Sequence, residues 1–400
     1  MTSPTIAPGP DPVSPADADR CPGLLRPHRA ADGAVVRIRL IGGVIPAVAL
    51  AAVGAAAVRY GDGTVTLTSR GNLQLRGLRV DEHGDADAGL VEAITTAGLL
   101  PSATHERVRN VLVSPLTGIA GGHADLRPVA GRLDEMLCAT AELAALSGRF
   151  VFGLDDGRGD LTDQSIDLGI TLTDGTTARL RIGPWWGSSV PLAEVPTSLI
   201  GHALRFLAQP GSPWRIADLA GEGRELLPAE HRVEPVRPLG HPRSVGVIAR
   251  DDGGTAAVVG VPLGRLDPEQ LQTLVAVATA EDDTCGGAAV VITPDRTVVI
   301  PHVGADAAPR LDAAGLLVDP ADPRHTVTAC IGGPGCARAS GPTAGVARTV
   351  AVTDTLATGL PVHVVACERR CGAPAGAHLE LLVTRAGLHR RLRTPGARTR

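Results

Sequence analysis

Four cysteines in the last quarter of this 400-residue chain carry the clearest chemistry. TACIGGPGCARAS and VVACERRCGAP place them as a C-x5-C pair, Cys330 and Cys336, and a C-x3-C pair, Cys367 and Cys371, with thirty residues between the pairs. Four thiolates can surround a cubane iron–sulfur cluster, each reaching one iron. The glycines inside the first pair let the backbone fold close around a bulky group and aim its amides at cluster sulfurs. Zinc sites more often take cysteine pairs about two to four residues apart. Four unrelated buried cysteines would not fall into pairs in a chain with only seven of them. The spacing therefore predicts a [4Fe–4S] cluster on Cys330, Cys336, Cys367 and Cys371. Cys21, Cys138 and Cys285 have no paired spacing and read as structural or incidental.

These cysteines need elements to hold them, and hydrophobic periodicity supplies candidates. AVVRIRL (34–40) alternates as a strand, with Val36, Ile38 and Leu40 on one face and Arg37 and Arg39 on the other. An Ala-rich helix is expected over 46–61 and a second strand over 64–77. A similar unit recurs about 225 residues later: strands at 244–250 and 256–264, a helix opened by Asp267 with Gln270 placed for a capping box, and a strand over 288–303. TLTSRGNLQL and VVITPDRTVVI occupy the same place in the two units, which points to an internal duplication with pseudo-twofold symmetry. A helix (133–148), a strand (149–155) and a hairpin turning at Asp174-Gly175 follow the first unit, and strands at 361–367 and 378–385 follow the second. Connectors rich in Pro and Gly lie at 227–242 and 304–322. The expected plan is a tail (1–20), a half-domain (21–95), a larger α/β segment (105–232), a second half-domain (243–305) and a second larger segment with the cluster cysteines (320–392).

Composition narrows the class. Hydrophobic residues make up 44% and aromatics 2%, so the core is aliphatic. A net charge of −4 gives no reason to expect nucleic acid or an anionic membrane as partner. No uninterrupted apolar stretch of about 20 residues is present, and the N-terminus lacks the basic and apolar regions of a secretory signal. The cysteine distribution suits a metal site in a reducing cytoplasm. All 38 basic residues are arginines.

The cysteine pattern resembles the cluster signature of the siroheme-dependent sulfite and nitrite reductases. TSRGNLQLRG (68–77) looks like their Thr-x-Arg-x-x-x-Gln strand beside the tetrapyrrole, and ERVRNVLVSP (106–115) is similar to their Arg-Asn-Val segment. The resemblance covers nearly all of residues 21–390 and implies an α/β (α+β) fold with two ferredoxin-like half-domains and two larger reductase-type segments. One feature departs from it. Those reductases carry a basic segment whose two lysines approach the anion, whereas SGRFVF (147–152) offers Arg149 and Val151. Guanidinium is a broad planar fork and does not replace an ammonium directly.

CPGLLRPHRAADGAVVRIRLIGG (21–43), FGLDDGRGDL (152–161), VPLGRLDPEQL (261–271), TPDR (293–296) and CERRCG (367–372) resemble another branch, the precorrin-3B synthases of aerobic cobalamin biosynthesis. That resemblance implies oxidation of precorrin-3A at C-20 with molecular oxygen, with lactone formation. It also implies a [4Fe–4S] cluster, a mononuclear non-heme iron in some members, and electrons derived from NADH. No G-x-G-x-x-G opens a β-α unit, so the electrons are expected through an external reductase. A substrate with many carboxylates needs arginine forks. Arg37, Arg39, Arg70, Arg76, Arg109 and Arg149 are the candidates, with Asn72 and Gln74 beside them; Arg70 and Arg109 stand in the matched motifs and are expected to share one cavity. Asp155 and Asp156 read as an acid/base or iron-binding pair, or as a strand-end turn. His363, four residues before Cys367, reads as facing the cluster or as a packed strand residue, the second being favoured. A siroheme-dependent sulfite or nitrite reductase is the competing function, and a non-catalytic electron carrier or redox sensor a third.

Overall fold

The computed structural model describes residues 19–211, 213–227, 236, 239, 245–280, 287–374 and 376–394. The first half of the chain runs through β1 (His28–Ala30), β2 (Gly33–Ile38), β3 (Val44–Pro46), α1 (Ala47–Tyr60), β4 (Val65–Leu67), β5 (Leu73–Leu78) and α2 (Ala88–Thr96). It continues with β6 (Val111–Val113), α3 (Arg127–Ala139), β7 (Phe152–Asp155), β8 (Leu168–Leu172), β9 (Thr177–Ile182), β10 (Trp185–Pro191) and α4 (Val195–Leu207). The second half repeats the plan with β11 (Gly246–Ala249), β12 (Thr255–Gly260), β13 (Arg265–Leu266), α5 (Pro268–Ala280), β14 (Ala289–Ile292), β15 (Thr297–Ile300) and α6 (Ala307–Ala313). It then passes through β16 (Val327–Ala329), α7 (Val352–Thr358), β17 (Val362–Val365), β18 (His378–Thr384) and β19 (Gly387–Arg393).

The duplication is visible in strand order. One antiparallel sheet runs β1-β2-β5-β4-β13 and the other β11-β12-β15-β14-β3, so each half lends one short strand to the sheet of the other. This exchange and a shared core bind the two units. Leu50 and Val53 of α1, Leu271 and Leu274 of α5, and Leu311 of α6 lie in one buried cluster with both sheets. Gly54 lets α1 approach α5: a Cβ there would stand 2.6 Å from Leu271 Cδ2. The larger segments also match. β6-β7-β8 and β16-β17-β18 are parallel ladders, each closed by an antiparallel hairpin strand, β9 or β19. They keep cores of their own, around Phe150, Phe152 and Phe206 in the first and Val362, Val364 and Leu381 in the second.

Several elements differ from the sequence expectation. The stretch 64–77 is a hairpin, β4 and β5, because Thr68 N donates to Asn72 O at 2.9 Å and Gly71 N to Thr68 O at 3.1 Å. The stretch 288–303 is likewise a hairpin, β14 and β15, with the same two bonds from Thr293 N to Thr297 O and Arg296 N to Thr293 O. Aligned this way, Gly71 (φ +62°) matches Arg296 (φ +61°), so the arginines of the two motifs sit one position apart. Helix α3 starts at Arg127 and stops at Ala139, where the Thr140 hydroxyl donates to Met136 O and a short 3-10 turn, Ala141–Ala145, follows. Pro128 is tolerated because it falls in the first turn. The connector 304–322 contains α6, whose Leu311 enters the core. The expected capping box is present: Gln270 N donates to Asp267 Oδ1 at 2.9 Å and Asp267 N to Gln270 Oε1 at 3.2 Å. No helix among the described residues is long and apolar enough to cross a membrane. Residues 1–18 of the expected tail, most of the connector 227–242, and Cys285 lie outside the described residues.

Candidate functional site

The parallel ladder of the second half positions the cysteines. Cys330 leaves β16 and Cys367 leaves β17, and Cys330 N donates to Val364 O at 2.9 Å, so two adjacent strand ends present the first members of both pairs. Ser340 N donates to Ala366 O at 2.9 Å and ties the two cysteine loops together. Gly332 (φ +64°) has to be glycine, because a Cβ there would meet Thr343 Oγ1 at 2.5 Å while that hydroxyl donates to Cys330 O at 2.6 Å. Burial pushes the Cys330 thiol up; backbone N–H groups of Ala366 and Gly332 pull it down, and Cys367 and Cys371 lie near enough to push it up further. Cys330 thus has two backbone amides on its sulfur and Cys367 and Cys371 as its neighbours, while Cys336 closes the same C-x5-C loop; amides aimed at sulfur suit a thiolate-bound cluster. Cys21 and Cys138 are free cysteines elsewhere, beside Asp19 and Asp134.

Buried arginines and one buried carboxylate brace these loops. Arg370, inside the C-x3-C segment, has φ +49° and reaches Glu380 of β18, Nε to Oε2 at 2.7 Å. Arg393 of β19 takes the other oxygen at 2.7 Å. Burial alone would raise the Glu380 carboxyl, but Arg393 and Arg370 hold it below its ordinary value. Arg76 braces the other loop: it pairs with Asp32 through two bonds of 2.9 and 3.2 Å and donates to Gly335 O at 2.9 Å. Arg76 thus joins the first half-domain to the C-x5-C loop.

The pseudo-symmetric position in the first half has other contents. Ser114 N donates to Leu154 O at 3.0 Å, so Ser114 stands where Cys330 does and Gly157 where Cys367 does. Asp155 accepts from the amides of Gly157, Gly159 and Leu161, and Asp156 pairs with buried Arg158. Asp155 and Asp156 therefore hold a strand-end loop together. Asp160 accepts from Ser114 Oγ at 2.7 Å, and burial, then Asp155, push its carboxyl up to about 7.

The remaining candidates separate into two groups. Arg70 leaves the β4–β5 turn and donates to Gly148 O at 3.1 Å. Burial, then Arg215 and Arg37, push it down to about 10. Arg39 bonds Asn110 Oδ1 and Pro22 O but leaves Nη2 buried and unpartnered; burial, then Arg37, push it down to about 9. Arg37 gives one bond, to Gln74 Oε1 at 3.2 Å, and its Nε is buried without a partner. Three desolvated guanidinium groups thus lie together, and among the described residues none of them forms a salt bridge with a carboxylate. Gln74 orients Arg37, and Asn72 accepts from Leu40 N at 2.9 Å at the head of the same strand.

Arg109 lies apart from this group. Asp134 of α3 takes both arms of its fork at 2.7 Å, and both side chains are largely buried. It lines a cavity of about 310 Å³ together with Arg39 and Arg127, and Arg70 does not. Arg149 lies over the Trp214 ring, 4.7 Å from its centroid, and Val151 packs with Leu112, Leu161 and Ile166. Removing a partner from a buried pair leaves an uncompensated charge, worth about 3 kcal/mol or more. Arg109→Ala should therefore lower unfolding stability by about 3 kcal/mol in denaturant titration. The affinity of the folded fraction for an anionic ligand should stay unchanged.

Sequence reasoning missed Glu380, Arg215 and Arg296. Among the described residues no group of three or more His, Cys, Asp or Glu side chains is placed to hold a single metal ion.

Comparison with known proteins agrees with the architecture. Residues 26–93 and 248–316 both match the nitrite/sulfite reductase ferredoxin-like half domain. A precorrin-3B synthase of Sinorhizobium sp. is 28% identical over 397 residues, spanning 92% of this chain and 81% of that protein. The fold superposes on the Mycobacterium tuberculosis NirA protein with a TM-score of 0.72 at 19% identity, covering 92% of this chain and 79% of that one.

Proposed function

We propose that this chain, which carries the nitrite/sulfite reductase ferredoxin-like half domain twice and is a relative of a precorrin-3B synthase, is itself a precorrin-3B synthase. It takes precorrin-3A, hydroxylates C-20 with one atom of dioxygen and closes a lactone with the ring A acetate; the second oxygen atom leaves as water with two electrons and two protons. The observation that carries the reading is the trio Arg37, Arg39 and Arg70. These forks are desolvated and crowd one another, and the acidic groups that act on them, Asp19, Glu106 and Asp167, form no salt bridge with them, an arrangement that a ligand rich in carboxylates relieves.

Each part of the chain then has a role. Arg70, Arg39 and Arg37 bind and orient substrate carboxylates. Arg76 and Glu380 hold the cysteine loops, so that Cys330, Cys336, Cys367 and Cys371 can ligate a [4Fe–4S] cluster. When bound, that cluster supplies one-electron transfer, fed by an external reductase drawing on NADH. Asn72 ties the β4–β5 turn that carries Arg70 to Leu40, and Gln74 orients Arg37.

A siroheme-dependent sulfite or nitrite reductase would need free cations at positions 149 and 151. Arg149 is stacked on Trp214 and Val151 is buried among aliphatic side chains, so neither position offers one. The deciding experiment incubates reconstituted protein with precorrin-3A, a reductant and dioxygen, and identifies the product by mass. A product heavier by one oxygen atom is expected. Sulfite or nitrite reduction with unchanged precorrin-3A would sink the reading.

A further inference from the structure

His363 lies at the centre of β17, on the face opposite Val362 and Val364, which fill the core of that segment. It has no exposed surface. Its ladder partners on that face are Thr328 of β16 and Glu380 of β18. Nδ1 is 2.8 Å from Thr328 Oγ1, which fixes the ring, while Nε2 is buried and has no hydrogen-bond partner. An unpartnered ring nitrogen inside a protein is costly, and each such group calls for an explanation.

The C-x3-C loop folds back over this face. Arg370 of that loop reaches Glu380, and Gly372 comes down onto His363: a Cβ built on Gly372 would stand 3.9 Å from His363 Cε1. Arg296, from the β14–β15 turn of the second half-domain, closes the same spot, with Nη2 3.2 Å from that Cβ position. Gly372 has φ +82°, which disfavours a side chain, and it packs against both the ring and the guanidinium. The second ring nearby, His378, lies edge-on at 6.3 Å and does not bond Nε2. The ring of His363 therefore faces the segment that carries Cys371 and lies against the backbone of that residue, with a guanidinium beside it.

We infer that His363 is a positioning residue for the cluster, which hydrogen-bonds it at its Cys371 corner and raises its reduction potential, with Arg296 adding positive charge from the second half-domain. This rests on the cluster reading above. Hydrogen bonds to cluster sulfur and nearby positive charge both favour the more negative, reduced state, and these are the levers by which a protein sets such a potential. The inference fixes the tautomer: with the proton on Nε2, Nδ1 accepts from the Thr328 hydroxyl 2.8 Å away.

The test compares the reconstituted parent with His363→Phe and His363→Gln, reading iron and sulfide content first and then the midpoint potential by EPR-monitored redox titration. His363→Phe fills the space but cannot donate. It is expected to keep its cluster and to be reduced with an equilibrium constant roughly tenfold lower, about 59 mV for one electron. His363→Gln, which can still donate, should recover part of the shift. In parent protein grown with isotopically labelled histidine, pulsed EPR of the reduced cluster should show a weak nitrogen coupling that His363→Gln lacks. That measurement needs only the parent and one conservative variant, so it decides the matter even where His363→Phe does not fold. A full cluster in the parent with an unchanged potential in His363→Phe, or no histidine coupling in the parent, overturns this inference and leaves the cluster reading standing. A parent that assembles no cluster overturns both.

Discussion

Cys336→Ser should lose the iron–sulfur absorption of the reconstituted protein and most of its iron and sulfide, as should the same change at Cys330, Cys367 or Cys371. Cys21→Ser and Cys138→Ser should keep both. The expectation rests on coordination chemistry: a hydroxyl at position 336 is a far poorer ligand than a thiolate, and among the described residues no spare cysteine stands nearby to replace it. Cys138 sits on α3 beside Asp134 and Cys21 beside Asp19, each in the opposite half of the chain from the cysteine loops. On the proposed reading, ligation would also couple to folding by adding a restraint to the loops at 330–343 and 367–373. Circular dichroism separates the two ways of losing a cluster. Cys336→Ser should retain the secondary structure of the parent, since the ladder β16-β17-β18 and its apolar face around Val362, Val364 and Leu381 do not depend on the cysteines. An intact cluster spectrum in Cys336→Ser would falsify the ligand assignment.

The paired cysteines stand out in the sequence by residue type and spacing, and the fold sets Cys330 and Cys367 at the ends of adjacent strands. The duplication could be read too, since each copy repeats its strand, helix and strand on its own. What periodicity could not show was where a run of alternating residues turns back. TVTLTSRGNLQLRG keeps its alternation across the Thr68–Asn72 turn, and the turn is set by backbone bonds and by a left-handed Gly71, not by any break in hydrophobicity. The same holds for VVITPDRTVVI, where Arg296 takes the left-handed position that Gly71 takes in the other copy.

Arginines gave the sequence its greatest ambiguity. Arg70 and Arg109 both stand in motifs that resemble pocket-lining segments, and nothing local distinguishes them. The difference is a residue twenty-five positions further on, Asp134, which neutralises one and has no counterpart at the other. Arg76 is drawn away from a ligand role by Asp32 and by a carbonyl 259 residues distant. Long-range pairing of charges depends on tertiary structure and leaves no periodic trace. His363 is the same kind of case: its neighbours in sequence are all strand formers, and only the fold-back of the C-x3-C loop onto its face gives its free nitrogen a meaning.

Arg70→Ala should cost affinity and spare stability, the reverse of Arg109→Ala. In the free protein Arg70 makes one bond, to Gly148 O, and its charge is penalised by burial and by Arg215 and Arg37. The sign follows from the direction of the shift. A base whose value falls on folding is charged at a cost in the folded state, so at neutral pH the Arg70 charge opposes folding. Deleting it removes a hydrogen bond worth about 1 kcal/mol and also removes that repulsion, which leaves the midpoint of denaturation close to the parent's. Binding goes the other way. A carboxylate held by a guanidinium fork is worth about 1.5–3 kcal/mol, so Arg70→Ala should weaken precorrin binding by roughly one to two orders of magnitude. Arg70→Lys should recover only part, because a point charge cannot hold both oxygens of a carboxylate. Iron and sulfide content should match the parent, since the thiolates come from the other half of the chain. Equilibrium titration with precorrin-3A and denaturant unfolding, run on both alanine variants, give four numbers whose pattern is fixed in advance. Parent-like affinity in Arg70→Ala would show the arginine trio to be a packing feature of the half-domain, and loss of the cluster in that variant would show that Arg70 supports the fold.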